Sequence, residues 1–118
     1  MNAENPHLSR LRRILEEQGG LYTVEDLFAE VEAGTMQAFS DGDSTVFTSI
    51  REFPRKRVLE IRVAMGTLEG IYKIQPRVVA FAKEQGCELL LAVVCRDGLQ
   101  GVKSAGWEAG AHTFVRRL

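Results

Sequence analysis

The stretch from Val58 to Val94 constrains this chain more than any other. It reads as an apolar strand (VLEIRVAM), a glycine-containing turn (GTLEG), a long helix (IYKIQPRVVAFAKEQ), Gly86 and a second apolar strand (CELLLAVV). Two strands joined by one crossover helix pair in parallel, with a right-handed connection. The first turn of such a helix is a place where α/β proteins hold phosphate, because its free N–H groups and its dipole point outward. Whether Gly66-Thr67-Leu68-Glu69-Gly70 does this separates an enzyme from a scaffold.

The crossover is preceded by two helices and a meander. Leu8, Leu11, Ile14 and Leu15 fall at helical spacing on one face of residues 7–18. Arg10, Arg12 and Arg13 come early in that segment and Glu16 and Glu17 late, against the helix dipole, so the helix needs packing to persist. Thr23 is a cap-like residue ahead of a second helix with Leu27, Phe28 and Val31 as its stripe, closed by Gly34. Three strands follow, Met36–Ser40, Thr45–Phe53 and Val58–Met65, separated by Asp41-Gly42-Asp43 and Pro54-Arg55-Lys56, as an antiparallel meander. In the third, Leu59, Ile61 and Val63 share one face by simple alternation. The long helix has Thr67 as N-cap, Gly86 as C-cap, and Pro76 inside it, which is expected to kink or split it. Leu89–Cys95 is continuously apolar and is expected to be buried on both faces. A short helix over Leu99–Ala105 and a strand over Ala111–Leu118 complete the order α-α-β-β-β-α-β-α-β. The fold class is therefore α/β (α+β), with residues 1–20 as an amphipathic N-terminal helix and 21–118 as a single domain.

Charge and composition exclude several classes of function. With 15 basic and 16 acidic residues the net charge is −1, so no bulk field draws the chain to nucleic acid or anionic lipid. No apolar run approaches the roughly 20 residues of a membrane span, and the N-terminal residues lack a secretion signal's apolar core. Synthesis and residence in a cytoplasm are expected. Cys87 and Cys95 bracket one strand and cannot bond to each other across it, so both are read as reduced thiols. No His, Cys or Asp spacing fits a metal, and Asp41-Gly42-Asp43 is a hairpin turn. Arg51, Arg55, Lys56 and Arg57 surround the Pro54 turn, and Arg116-Arg117 lie at the far end. These are read as solvated cations, with DNA or phosphate contact as the minor reading.

The element order, with Val24-Glu25-Asp26-Leu27, Thr48-Ser49-Ile50-Arg51-Glu52-Phe53-Pro54-Arg55, Phe81-Ala82-Lys83-Glu84-Gln85-Gly86-Cys87, Arg96-Asp97-Gly98 and Gly106-Trp107, resembles the GNAT (N-acetyltransferase) superfamily. Locally it is similar to small GNAT-like proteins of phages and prophages. The resemblance implies acetyl-CoA held where two parallel strands splay, with its pyrophosphate on an Arg/Gln-x-x-Gly-x-Gly/Ala loop before the long helix. Met65, Gly66, Thr67 and Gly70 are then the cofactor-binding candidates. Here the two glycines are four apart, no basic residue heads the loop, and Glu69 brings a negative charge to the first turn. Superfamily members often use a Tyr before the last strands as the acid; Trp107 stands nearest that place and cannot supply a proton. Glu60 and His112 are the candidate bases.

These departures lead to the expectation of a phage virion or assembly component on a GNAT-like fold, without catalysis and without a cofactor. It would bind other phage structural proteins, as a homo-oligomer or on a ring, through Leu8, Leu11, Ile14 and Leu15. The alternative is an acetyl-CoA-dependent N-acetyltransferase with a degenerate pyrophosphate loop. Host cytoplasm, then virion, is the location the first reading implies.

Overall fold

Strand alternation along one segment organises the molecule. In the computed structural model, which describes residues 6–92, Trp107 and 116–118, Val46 and Ile50 face one side of a sheet while Phe47 faces the other. The elements are α1 (Pro6–Glu17), α2 (Val24–Ala33), β1 (Gln37–Asp41), β2 (Ser44–Glu52), β3 (Arg57–Met65), α3 (Leu68–Glu84) and β4 (Leu89–Ala92). They follow the expected order; the short helix and last strand expected beyond them lie outside the described residues. The sheet runs β1-β2-β3-β4, with β1/β2 and β2/β3 antiparallel and β3/β4 parallel, Val58–Ile61 facing Leu89–Ala92. This is the mixed α+β architecture that the sequence leads one to expect.

Each face carries its own apolar core. On one, Leu11, Leu15, Val24 and Leu27 of the first two helices cover Phe47, Val63 and Met65. On the other, Ile74, Val78 and Ala82 of α3 cover Val46 and Leu59, and Phe39 meets Phe81 edge-on at 5.8 Å. The α1 face expected to take a protein partner is thus occupied by the chain's own core. Leu11 and Leu15 are buried, and Leu8 and Ile14 pack beside them. The unfavourable charge order of α1 is met locally. Arg12 reaches Glu25 of α2 at 3.6 Å, and Arg117 donates to the Glu16 carbonyl at 2.7 Å.

The helix ends follow their local signals. Thr23 and Asp26 form a reciprocal capping box at the start of α2. At the end of α3 the cap is Gln85, one residue before the expected Gly86. Gly86 stands at φ 75° just beyond, its N–H bonded to the Lys83 carbonyl and that of Cys87 to Ala82, a pattern that needs a left-handed residue.

Three expectations are corrected. Val63 does not share a face with Leu59 and Ile61. Phe47 pairs with Val63 but Thr48 with Ile61, so Arg62 is an extra residue in β3, a bulge that inverts the alternation. Pro76 does not split α3, which runs on as one helix from Leu68 to Glu84. Its ring stands on the exposed face, where the missing N–H removes one ladder bond without a clash in the core. Finally, β4 is not buried on both faces: Leu89 is 43% exposed and Leu91 38%, while Leu90 packs against the α3 core. Leu89 and Leu91 stand on its α1/α2 side, where they are only partly covered.

Candidate functional site

Two neighbouring regions carry the polar chemistry. The first is the turn from β3 into α3, where the sequence places Met65, Gly66, Thr67 and Gly70. Thr67 is the N-cap, its Oγ1 accepting from the Gly70 N–H at 3.1 Å, and its own N–H donates to Ser44 Oγ at 3.0 Å. Ser44, at the start of β2, is fully buried beneath the turn. A Cβ on Gly66 or on Gly70 would overlap Ser44, so both glycines serve the close approach of α3 to β2. Gly66 also holds φ 123°, which L side chains rarely adopt.

The geometry of this turn fits a phosphate only in part. The first ladder bond runs from the Ile71 N–H to the Thr67 carbonyl, so the N–H groups of Leu68 and Glu69 precede it and lie at the positive end of the helix. The Glu69 carboxylate lies 3.4 Å from the Lys73 ammonium one turn on, so its charge is compensated along the helix. If the motif's first glycine is set on Gly70, Thr67 stands at its basic head and Tyr72 at its last small position. Backbone groups rather than a cation would hold a diphosphate here.

The second region is a polar shelf on the α1/α2 face of the sheet, below the bulge. Glu60 stands directly opposite Ser49 in the β2/β3 register. Its Oε2 accepts from Arg51 at 3.1 Å and its Oε1 lies 3.2 Å from Arg62. The Arg62 guanidinium lies 5.0 Å over the Tyr22 ring, and the Arg62 carbonyl accepts from Gln18 Nε2 at 2.9 Å. Residues from the α1/α2 connection thereby hold the bulge in place. Ser49 Oγ is buried and finds no hydrogen-bond partner. Between the two helices and the strands, a largely apolar cavity of about 240 Å³ lined by Leu8, Leu11, Phe28, Val31, Phe47 and Met65 opens on the same face.

The structure places the sequence candidates unevenly. Glu60 is at the centre of the shelf, while His112 and Cys95 lie outside the described residues. Met65, Gly66, Thr67 and Gly70 come together at one turn. Leu8, Leu11, Ile14 and Leu15 belong to the core and its margin. Sequence reasoning did not single out Ser49, Tyr22, Gln18 or Arg62 as site residues, and read Arg51 only as one of the solvated cations around the Pro54 turn. The one signal available was the Glu60–Arg62 pair on a strand, where i and i+2 share a face; the alternation inverts only after Arg62, so the pair keeps that arrangement. Among the described residues, no group of His, Cys, Asp or Glu could hold a metal ion. No described helix is long and apolar enough to cross a membrane.

No family model matches the chain, and no curated protein matches it in sequence. Its fold does match solved structures. It is similar to a probable acetyltransferase (TM-score 0.61, 13% identity, 98% of this chain and 93% of that one). It is similar to an acetyltransferase of Trypanosoma brucei (TM-score 0.61, 12% identity, 98% and 96% covered). A third is a putative acetyl transferase from Pyrococcus furiosus (TM-score 0.60, 14% identity, 95% and 92% covered). The chain has the GNAT-like fold. The expectation of a non-catalytic phage virion or assembly component is corrected by this likeness, since the structures matched over nearly their whole length are a probable, a named and a putative acetyltransferase. The four-residue spacing of the two glycines, one of the departures on which that expectation rested, is explained by the packing of Gly66 and Gly70 on Ser44.

Proposed function

We propose that the chain is an acetyl-CoA-dependent N-acetyltransferase with a reduced diphosphate turn. The observation that carries this reading is the fold shared end to end with solved acetyltransferases, with a bulged β3 beside a parallel β4 and the α3 N-terminus at the end of β3. Acetyl-CoA supplies an acetyl group activated as a thioester. The N–H groups of Leu68 and Glu69 would hold its diphosphate, with Thr67 fixing the helix end. In the transfer, the amine nitrogen forms a C–N bond to the acetyl carbon as the C–S bond breaks. The nitrogen sheds a proton and the departing sulfur takes one up. Glu60 is the carboxylate placed to accept the amine's proton. Each of its oxygens keeps a lone pair beyond the one turned to its arginine. Tyr22 and Gln18 position the bulge rather than touch the reacting atoms.

The test is calorimetry of the full chain with acetyl-CoA, followed by thiol release in the presence of amines. Micromolar binding and amine-dependent thiol release are expected. Glu60→Gln is expected to lower kcat by about 10²-fold or more while acetyl-CoA affinity holds. Absence of acetyl-CoA binding at millimolar concentration would refute the proposal.

A further inference from the structure

The shelf below the bulge also bears on which amine is acetylated, a point that rests on the function proposed above. We infer that the acceptor is an amine that carries a carboxylate beside an apolar side chain, the arrangement of an apolar α-amino acid.

Charge is the first ground. Two guanidiniums, Arg51 and Arg62, face the single carboxylate of Glu60, which leaves one positive charge in excess. Arg62 is held against the Tyr22 ring with its side chain 22% exposed, so it has given up much of its water already and its remaining donors are preorganised for an anion. A polycationic acceptor would meet this excess charge as repulsion. The second ground is the orphaned Ser49 hydroxyl, 9% exposed and directly across from Glu60. A buried hydroxyl without a partner is unfavourable, and an amine hydrogen or a carboxylate oxygen seated on the sheet face over the two strands would supply one.

Shape is the third ground. Leu91 lies in register with Glu60 on the neighbouring strand, and Leu89 with Val58. Both side chains stand on the face away from the α3 core and are substantially exposed. The shelf therefore presents, side by side, a carboxylate for the amine, two guanidiniums for an anion and an apolar floor two residues long. A zwitterion with a hydrocarbon side chain matches all three.

Leucine and 3-methylbutylamine share a skeleton and differ by the carboxylate, so they test the inference on the full chain. With acetyl-CoA present, kcat/KM for leucine is expected to exceed that for 3-methylbutylamine by about tenfold or more, the scale of one charge-assisted hydrogen bond. Arg62→Gln should bring the ratio towards one mainly through KM, and Arg62→Lys should restore part of it. Arg51→Gln, at the more exposed rim, gives a second variant should Arg62→Gln fail to fold. Equal or better use of 3-methylbutylamine by a protein that binds acetyl-CoA would overturn the inference and leave the function standing. Should acetyl-CoA fail to bind, the function falls, and calorimetry with the two amines alone still decides the shelf. A leucine preference lost in Arg62→Gln would support it, and equal affinities would overturn it.

Discussion

Gly70→Ala isolates the reason for the glycines at the α3 turn. Gly70 is the third residue of α3 and has no positive φ, so an alanine there meets no backbone strain. In an open helix position the change would stabilise by about 0.4–1 kcal/mol through helix propensity and the unfolded chain. Here the new Cβ would come to 2.7 Å from the Ser44 Cβ and closer still to its hydroxyl, with Thr67 Oγ1 at 3.1 Å. Ser44 is buried, and its Oγ is bonded to the Thr67 N–H, so it cannot turn aside without losing that bond. Overpacking of this kind costs about 1–3 kcal/mol. The net expectation is destabilisation by roughly 1–2 kcal/mol after the propensity gain is set against it. Urea unfolding read by circular dichroism measures this as a lower midpoint at unchanged slope. In a Ser44→Gly background the clash is gone, and Gly70→Ala should turn neutral or mildly stabilising, which a double-mutant cycle reports as coupling. Stabilisation by Gly70→Ala in the unmodified chain would refute the packing account. The glycine would then have to be explained by a ligand.

Two further predictions concern the scaffold. Leu11→Ala removes a side chain that is 1% exposed between α1 and the sheet and should destabilise by about 2–5 kcal/mol in the same unfolding assay. A loss below about 0.5 kcal/mol, the range of surface substitutions, would mean that α1 is an accessory segment after all. Pro76→Ala restores a backbone donor on the exposed face of α3 and should stabilise by about 1–3 kcal/mol, raising the melting temperature in calorimetry; no rise would mean that the helix has adapted fully around the ring.

The element order was legible because each signal is local: a 3.6-residue stripe on α1 and α3, Thr23 and Thr67 as caps, Gly86 after the last helical turn. Glycine spacing at the turn was legible as a packing device as much as a phosphate loop, and Ser44 supplies the partner that the spacing alone does not name. Burial of β4 was not legible. A run of Leu89, Leu90 and Leu91 looks the same whether both faces are covered or one is left for a ligand, since periodicity reports apolarity and not what stands opposite. The shelf was missed for a similar reason. Arg51 and Glu60 are nine residues apart, and only the β2/β3 register brings them to 3.1 Å.

The bulge at Arg62 connects these failures to the site. Simple alternation along β3 would send Val63 and Met65 to the α3 side with Leu59 and Ile61, and α1 and α2 would lack a floor beneath Leu11 and Leu27. One extra residue divides the strand instead: Leu59 and Ile61 serve the α3 core, and Val63 and Met65 serve the other. Where the alternation inverts, Arg62 and Val63 fall in succession on one face, so a charged residue stands directly beside the apolar core of α1 and α2. Glu60 and Tyr22 accommodate that guanidinium, and Gln18 binds the carbonyl that the bulge withdraws from the ladder. The same single-residue insertion therefore builds the second core and sets it directly beside the polar shelf. A substitution that straightened β3 would send Val63 and Met65 to the α3 side and take the floor from under Leu11 and Leu27, so the α1/α2 core depends on this one residue.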